Sequence, residues 1–267
     1  MGPIYTATNA PGLILATGNI GNYLDEEKAD TYLSNNGGLS FKKIANGSHI
    51  YQIGDQGSLI VMARDDKEVQ KIKFSWNNGK TFEEMLINEK PLFVTNIVIE
   101  SSHKGLIFQV YGVLKDDSSG FVVPVNFENL MPRRCVHDEY GDSDYETWSP
   151  HSSTGKCING EKMVYLRRKP ERACFNSDEV EMVRRDAVCK CEAEDWECDI
   201  GFVREKESGA CVRSSDGKSG PFYEPPKKCV DFYKVRTGYR KVAGNVCENG
   251  VDLGAHMIQC PDQHNKG

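Results

Sequence analysis

Ten cysteines are the residues of this chain best suited to covalent or metal chemistry, and all of them lie between Cys135 and Cys260. An even number packed this densely is typical of a disulfide framework in an oxidising compartment. A zinc-thiolate site is the alternative, but such sites usually have repeated Cys-x2-Cys or Cys/His pairs. The tightest pair here is Cys189-Lys-Cys191. The spacing therefore favours disulfides over a metal site.

The cysteine-free segment before Cys135 contains an internal repeat. Residues 34–41 (SNNGGLSF) align with residues 75–82 (SWNNGKTF). Both resemble the Asp-box hairpin, Ser-x-Asp-x-Gly-x-Thr-Trp, with asparagine at the aspartate position, which should weaken its capping of turn amides only slightly. In that hairpin the glycine is left-handed and the aromatic side chain packs between strands. The repeat predicts propeller blades of about 40 residues, with box residues Ser34, Asn36, Gly38, Phe41, Ser75, Asn77, Gly79 and Phe82.

Candidate catalytic patterns are weak. The boxes could indicate a sialidase, but that activity needs an arginine cluster and a tyrosine nucleophile with an acidic partner, and residues 1–134 contain only Arg64, Arg133 and Arg134. Gly217-Lys-Ser219 imitates the end of a phosphate-binding loop, yet the first glycine of that motif would fall at Val212. We expect neither an enzyme nor a cofactor or metal.

Two charged runs could bind a ligand. Leu166-Arg-Arg-Lys169, beside Tyr165 and followed by Arg172, could hold an acidic group, although a solvated strand edge is the favoured interpretation. Residues 192–199 are acidic around Trp196, but their spacing does not match a calcium loop. We interpret Trp196 as the anchor of a small core.

Composition restricts the partners and the compartment. The net charge of −6 gives no electrostatic case for nucleic acid. The start, Met1-Gly-Pro-Ile-Tyr5, lacks the features of a secretory signal, and no apolar run is long enough to span a membrane. Asn46-Gly-Ser48 is a glycosylation sequon, which agrees with a lumenal address. We therefore expect a segment of a longer protein of the secretory pathway.

Short apolar or alternating runs separated by turn signals predict an antiparallel meander. The predicted strands are 12–16, 49–53, 58–62, 69–76, 93–99, 106–114 and 121–127, with one helical turn within 23–29. They amount to two to three blades, and an open arc of blades would have to pack on the cysteine-rich region or on blades outside the chain. Residues 128–134 form the boundary. Beyond it we expect strands at 163–166 and 201–203, a helix at 179–185, a loop at 214–221 and a frayed end at 261–267.

The cysteine spacing and the residues around it resemble the paired ten-cysteine modules of sortilin-type receptors, the vacuolar protein sorting ten family. The motifs are Asp144-Tyr-Glu-Thr-Trp148, Cys157-Ile-Asn-Gly160, Cys189-Lys-Cys191, Glu194-Asp-Trp-Glu-Cys198 with Asp-Ile-Gly-Phe202, and Gly238-Tyr-Arg-Lys241. Upstream, residues 10–18, 32–38 and 57–61 are similar to the last blades of that family's propeller. The resemblance covers nearly the whole chain.

The resemblance implies an all-β, disulfide-rich architecture. Residues 1–134 would be the last two to three blades of a ten-bladed β-propeller, 135–190 a first cysteine-rich module and 191–267 a second. It also implies the disulfides Cys135–Cys174, Cys157–Cys189, Cys191–Cys247, Cys198–Cys211 and Cys229–Cys260, which spacing alone could not select. Such small modules have little core, so we expect them to unfold on reduction while the preceding segment does not depend on thiols.

For function, the resemblance implies the lumenal part of a single-pass sorting receptor. Such receptors bind soluble cargo, vacuolar or lysosomal hydrolases or propeptides, in the Golgi and deliver it to endosomes or the vacuole. This part would mainly brace the propeller, and no ligand-binding residue is carried over to it. Two alternatives stay open: a secreted cysteine-rich binding or inhibitor protein and, less favoured, a sialidase-like glycosidase.

Overall fold

A computed structural model describes residues 4–115, 119–150, 157–176, 180, 182–214, 226 and 228–261. The chain forms two compact units. The first comprises Met1–Pro150 and Val164–Arg184, and the second comprises His151–Met163 and Arg185–Gly267. Regular structure in the described residues is almost entirely β, with four short 3-10 helices at 26–28, 55–57, 128–130 and 193–195. The all-β expectation is therefore confirmed.

Three antiparallel sheets make up most of the first unit. The first sheet contains β1 (Ile14–Gly18), β2 (Asp30–Ser34) and β3 (Lys42–Ala45), in that order. The second contains β4 (His49–Gly54), β5 (Leu59–Arg64), β6 (Lys71–Ser75) and β7 (Glu83–Leu86), also in chain order. The third contains β8 (Phe93–Val98), β9 (Ile107–Val113) and β10 (Gly120–Asn126). The predicted meander is confirmed, because within each sheet the strands pair in chain order.

Two apolar clusters lie among these sheets. One, between the first and second sheets, includes Leu15 and Ile53, neither of which has measurable exposure. The other joins the second and third sheets, where the ring of Phe127 lies 5.0 Å from that of Phe74 and meets that of Phe108 edge-on at 5.7 Å. Burial of these alternating side chains is what selects the strand register.

The rest of the first unit belongs to the cysteine-rich sequence. β11 (Tyr145–Trp148) pairs antiparallel with β12 (Glu161–Arg168), and Cys135 is joined to Cys174. Phe175 packs against the cluster of the second and third sheets, and its backbone bridges Arg134. This part of the cysteine-rich sequence therefore shares a core with the sheets.

The second unit is built from short strands. They are β13 (Val183–Val188), which begins in the first unit, β14 (Trp196–Cys198), β15 (Phe202–Arg204), β16 (Cys211–Arg213), β17 (Phe232–Val235), β18 (Tyr239–Lys241) and β19 (His256–Gln259). The pairs β14–β18, β15–β16 and β17–β19 are antiparallel two-stranded sheets. Two-stranded sheets are marginal alone. Trp196 is buried and its indole N–H donates to the Val251 carbonyl at 3.0 Å, as expected of an internal anchor, although none of the apolar clusters of the described residues includes it.

Several local expectations have to be corrected. The helix expected at 179–185 is wrong at its C-terminal end, because residues 183–185 lie in β13; the start of that range is only partly described. β2, β3 and β7 lie outside the predicted strands. β3 and β7 are largely exposed and charged and so lack an apolar alternation, whereas β2 alternates in burial but places polar Thr31 and Ser34 at two of its three buried positions. The helical turn within 23–29 is a 3-10 helix at 26–28, and strands at 163–166 and 201–203 are present as β12 and β15. The expected loop at 214–221 and the end at 261–267 lie almost wholly outside the described residues.

Among the described residues, no helix has the length and apolar character needed to cross a membrane.

Candidate functional site

The first box (residues 34–41) forms the turn between β2 and β3. Its Ser34 hydroxyl accepts the Gly38 amide at 2.9 Å and donates to the Asn36 side-chain oxygen at 2.9 Å. That oxygen also accepts the Ser40 amide at 3.0 Å. Gly38 has φ of +88°, a conformation that favours glycine. The box sequence thus closes a tight hairpin with its own side chains.

The second box (residues 75–82) forms the turn between β6 and β7 and repeats these bonds. Ser75 accepts the Gly79 amide at 2.9 Å, and Asn77 oxygen accepts the Thr81 amide at 2.9 Å. The Asn77 side-chain nitrogen also donates to the Thr81 hydroxyl at 2.8 Å, as Asn36 does to Ser40. Asparagine thus keeps the amide cap and donates to the hydroxyl, whereas an aspartate in its place would accept the hydroxyl proton instead.

The aromatic side chains of the two boxes differ. Phe82 packs against the cluster that joins the first and second sheets. Phe41 is 46% exposed, so the expectation that it packs between strands is wrong. Phe82 is covered because a neighbouring sheet contributes side chains on its side, whereas the described residues provide no such cover for Phe41.

Two consecutive arginines of β12 bind the two boxes at the same position. The Arg167 guanidinium donates to the Asn35 carbonyl at 2.8 Å, and the Arg168 guanidinium donates to the Trp76 carbonyl. Asn35 and Trp76 are the second residues of their boxes, so the contacts follow the internal repeat. Asn78, also in the second box, returns a bond from its side chain to the Arg168 carbonyl at 2.9 Å.

The surroundings of the two arginines explain their fixed positions. Arg167 lies over the Trp148 ring at 4.5 Å, a distance at which a cation and an aromatic face attract. Arg168 is only 2% exposed and also donates to the Arg172 carbonyl. Burial lowers the pKa of both guanidinium groups. The interpretation of this basic run as a solvated strand edge is therefore wrong. Both arginines of β12 donate hydrogen bonds to backbone carbonyls of the boxes.

The buried carboxylate of Asp55 lies at the junction where the cysteine-rich sequence contacts the turn after β4. The Asp55 side chain accepts the Asn176 amide at 2.7 Å and bonds to the Ser58 hydroxyl, and its backbone oxygen accepts the Asn176 side chain at 2.6 Å. Burial raises the pKa of Asp55 to about 6, against the lowering effects of the Ser58 and Asn176 hydrogen bonds and of the Arg168 charge. Asn176 therefore fixes the cysteine-rich sequence to the turn after β4.

Asp144 organises the beginning of the cysteine-rich sequence. Its carboxylate takes two bonds from the Arg133 guanidinium, at 2.6 and 2.8 Å, and one from the Val136 amide at 2.8 Å. The Arg133 hydrogen bonds, with smaller help from Val136 and Arg172, hold the pKa of Asp144 at about 2. Arg64 instead pairs with Asp66 in another part of the unit, so these arginines do not form the cluster that a sialidase requires.

Five disulfide bonds join the ten cysteines. The pairs are Cys135–Cys174, Cys157–Cys189, Cys191–Cys247, Cys198–Cys211 and Cys229–Cys260, with Cα–Cα distances of 5.0, 6.5, 5.0, 5.3 and 5.7 Å. All five distances lie in the range that unstrained bridges allow. Four of these bonds belong to the second unit and one to the first.

Other candidates from the sequence lie apart from the boxes. Asn46 is exposed in the connection between β3 and β4. Gly217-Lys-Ser219 lies outside the described residues. A surface cavity of about 1230 Å³ lies beside Cys135, with His137, Tyr145 and Arg184 in its lining. Sequence reasoning missed Asp55 and Asn176 as junction residues, because no local motif marks either one.

Comparison with known proteins identifies the family. The family model described as "Sortilin, neurotensin receptor 3, C-terminal" matches residues 99–260, and the model described as "Sortilin, neurotensin receptor 3" matches residues 1–97. The chain belongs to the sortilin receptor family.

Its relatives include animal and fungal receptors. The chain is 33% identical to the "Sortilin-related receptor" of Homo sapiens over 267 residues, which is 97% of this chain and 12% of that receptor. It is 34% identical to the "Vacuolar protein sorting/targeting protein 10" of Penicillium rubens over 257 residues, or 91% of this chain and 16% of that protein. The chain thus spans less than a fifth of the length of these relatives, whose names describe a receptor and a vacuolar sorting protein.

Proposed function

We propose that this chain is the lumenal part of a single-pass sorting receptor that binds soluble cargo in the Golgi and delivers it to endosomes or the vacuole. The cargo class is vacuolar or lysosomal hydrolases or their propeptides. Family membership and the oxidising chemistry of five disulfides support this proposal. Residues 1–134 would be terminal blades of a ten-bladed propeller, with cysteine-rich modules at 135–190 and 191–267.

Within the receptor, this chain mainly braces the propeller. The observation that carries this role is the pair of arginines on β12, which bind the second carbonyl of each box. A connection that uses the same position of two successive repeats holds neighbouring blades at a fixed spacing. Asn176, two residues after the half-cystine Cys174, adds a third attachment through Asp55.

The test compares cargo binding by two proteins, the receptor ectodomain that contains this segment and this chain alone. The probe is an immobilised vacuolar hydrolase propeptide. We expect the ectodomain to bind, this chain alone to bind at least tenfold more weakly, and Arg168→Met to weaken the ectodomain. Arg240→Met is the matched control, since Arg240 forms an exposed ion pair with Glu197 at 3.0 Å.

Two outcomes would contradict the proposal. Equal binding by the isolated chain would make this region a direct cargo site rather than a brace. The second outcome is that Arg168→Met lowers the unfolding temperature of the ectodomain and leaves its affinity for cargo unchanged. That result would show that bracing by this chain is not needed for binding.

A further inference from the structure

The sequon Asn46-Gly-Ser48 lies in the three-residue connection between β3 and β4, which carries the chain from the first sheet to the second. The Asn46 side chain is exposed. The Ser48 hydroxyl is buried and has no hydrogen-bond partner among the described residues. The two side chains that define the sequon are therefore in opposite environments in the folded chain.

The connection is held by bonds to its backbone. The Gly47 amide donates to the Asp30 carboxylate at 2.8 Å, and the Gly47 carbonyl accepts the Thr31 hydroxyl at 2.8 Å. The Arg64 guanidinium donates to the Asn46 carbonyl at 3.1 Å, and the Asp65 amide to the Ser48 carbonyl at 3.4 Å. Presenting the sequon as an extended strand would break all four bonds.

Gly47 locks this conformation. Its φ is +80°, where L side chains are strained, and a Cβ atom there would collide with the Arg64 guanidinium. A sequon accepts any middle residue except proline. Gly47 is thus required by the fold and not by the modification, which allows the two to be separated experimentally.

We propose that Asn46 is an acceptor for N-linked glycan only before the β3–β4 connection folds, and that the folded chain is not a substrate. The sequon is defined by a hydroxyl two residues after the asparagine, so a transferase must reach Ser48 as well as Asn46. Folding withdraws the Ser48 hydroxyl while leaving Asn46 exposed, so a glycan added earlier fits the fold. This inference rests on the lumenal location in the proposed function.

The reaction uses a lipid-pyrophosphate-linked oligosaccharide as donor. The Asn46 side-chain nitrogen forms a bond to the anomeric carbon of the first sugar. The bond between that carbon and the pyrophosphate oxygen breaks, the lipid pyrophosphate leaves with the electron pair, and the amide nitrogen loses one proton.

The test incubates unglycosylated chain with purified oligosaccharyltransferase and this donor, and follows the mass shift at Asn46. The chain is supplied folded with its disulfides, or unfolded in denaturant with its disulfides reduced and diluted into the assay, since reduction alone should leave the sheets folded. We expect modification of the unfolded chain and at least about tenfold slower modification of the folded chain, because opening the connection breaks four hydrogen bonds. Equal rates would overturn the proposal, as would an unfolded chain that is never modified.

Three variants locate the effect. Gly47→Ala keeps the sequon and prevents the native bend, so we expect it to be modified without denaturant; Thr31→Val removes one bond and should give an intermediate rate. Ser75→Ala weakens the second box instead and should leave the folded chain resistant, provided that circular dichroism shows all three to be folded. If Ser75→Ala reacts as fast as Thr31→Val, overall stability and not this connection sets the rate, and the proposal is wrong.

Ser48→Ala is the unmodifiable control, since its buried hydroxyl makes no hydrogen bond that would be lost. The assay does not depend on the compartment. A chain that is modified in vitro but unmodified in cells would contradict the lumenal location, whereas a folded chain modified in vitro would contradict the present inference.

Discussion

The sheets of the first unit and the strands of the second unit are stabilised by different physics. One cluster in the sheets alone contains fifteen buried residues, from Leu59 to Met131. In the second unit the buried apolar side chains among the described residues are Cys191, Trp196, Cys211, Val212, Val235 and Cys247, three of which are half-cystines. The same unit contains four of the five disulfides.

This difference shows that two parts of one chain can be stabilised by different interactions. Apolar burial contributes roughly 25 cal/mol per Å² to stability, so the sheets can be stable without covalent links. The second unit buries too little for that, and bridges that restrict its unfolded state take the place of a core. The Cys135–Cys174 bond lies in the first unit, where the cysteine-rich sequence and the sheets share side-chain contacts.

Reduction of the disulfides should give the largest difference in stability between the two regions. Loss of a native disulfide costs about 2–5 kcal/mol, and the second unit would lose four. We expect reductant to remove hydrogen-exchange protection from β14 to β19 while β4, β5 and β9 stay protected. Mass spectrometry of amide exchange, with and without reductant, measures both regions in one sample. Retained protection in β14–β19 after reduction would show that the second unit has a sufficient core of its own.

Non-reducing peptide mapping is the accompanying control. It should recover the five pairs named above and no free thiol. A different pairing in the second unit would change which loops are restricted, although the expected contrast with the sheets would remain.

Replacing Arg168 should give the next largest effect, and it should appear in the first unit. Arg168→Met removes the side-chain donor of the Trp76 carbonyl and one of the two donors of the Arg172 carbonyl, which also accepts the Cys174 amide. A hydrogen bond to a charged group contributes about 1.5–3 kcal/mol, so we expect the two losses together to cost about 3–5 kcal/mol. We expect Arg167→Met to cost less, about 1–2 kcal/mol, because Arg167 makes one carbonyl bond and one aromatic contact. Chemical denaturation with exchange readout checks both.

A matched substitution in the other region sharpens this test. Arg240 pairs with Glu197 on the surface of the second unit, and an exposed pair contributes less than about 1 kcal/mol. If Arg240→Met destabilises its unit as much as Arg168→Met destabilises the first, the contrast between a side-chain network and a disulfide framework fails.

The dependence of stability on pH should also differ, because the buried carboxylate belongs to the first unit. The pKa of Asp55 is about 6 in the fold against 3.8 in the unfolded chain. The folded state then binds more protons between these values, so the contribution of Asp55 to stability falls as pH rises from about 4 to about 6. This shift corresponds to about 3 kcal/mol between the two limits.

The variant Asp55→Asn isolates this effect from other groups. Burial lowers the pKa of His49, so its contribution is present above 6.5 and is lost as pH falls, opposite to Asp55. Asp144, with a pKa of about 2, contributes stability above 3.8 that is lost only as pH falls toward 2. Wild type should therefore gain stability relative to Asp55→Asn on acidification from pH 7 to 4. If the difference in unfolding free energy between wild type and Asp55→Asn is the same at pH 7 and pH 4, Asp55 does not take up a proton in this range.

The strands that the sequence predicted are those that face an apolar core, and the strands that it missed are mostly exposed or very short. Strands β4, β5 and β9 alternate or are continuously apolar because they face a core, so their periodicity is visible. β7 is exposed and charged, and it is a strand only because the second box returns the chain beside β6. In the second unit strands of three or four residues are too short for any period to appear.

The contacts between the cysteine-rich sequence and the boxes show a different limit of prediction from sequence. The boxes were visible because they repeat, and the arginine pair was visible as a charged run. Nothing local indicated that Arg168 would be buried, because its partners Trp76 and Arg172 are backbone carbonyls that every residue type supplies. Asp55 pairs with Asn176 across 121 positions, and such long-range partners leave no spacing pattern in one sequence.

The smallest expected effect compares one turn from each region. Asn77→Ala removes the oxygen that accepts the Thr81 amide and the nitrogen that donates to the Thr81 hydroxyl, which should cost about 1–2 kcal/mol of global stability in the first unit. Asp195→Ala removes bonds from the Glu192 amide and the Asn245 side chain in the second unit. Because disulfides keep the flanking chain in place there, we expect its cost to appear as local opening rather than as loss of the whole unit.

Amide exchange distinguishes the two responses. A turn coupled to a shared core should lower protection in β4, β5 and β6 together when Asn77 is replaced, since those strands unfold as one cooperative unit. Replacement of Asp195 should lower protection only near residues 192–196 and leave β17 and β19 unchanged. Loss of protection throughout the second unit would mean that its strands cooperate through side-chain contacts, and the disulfides would then reinforce a core instead of replacing one.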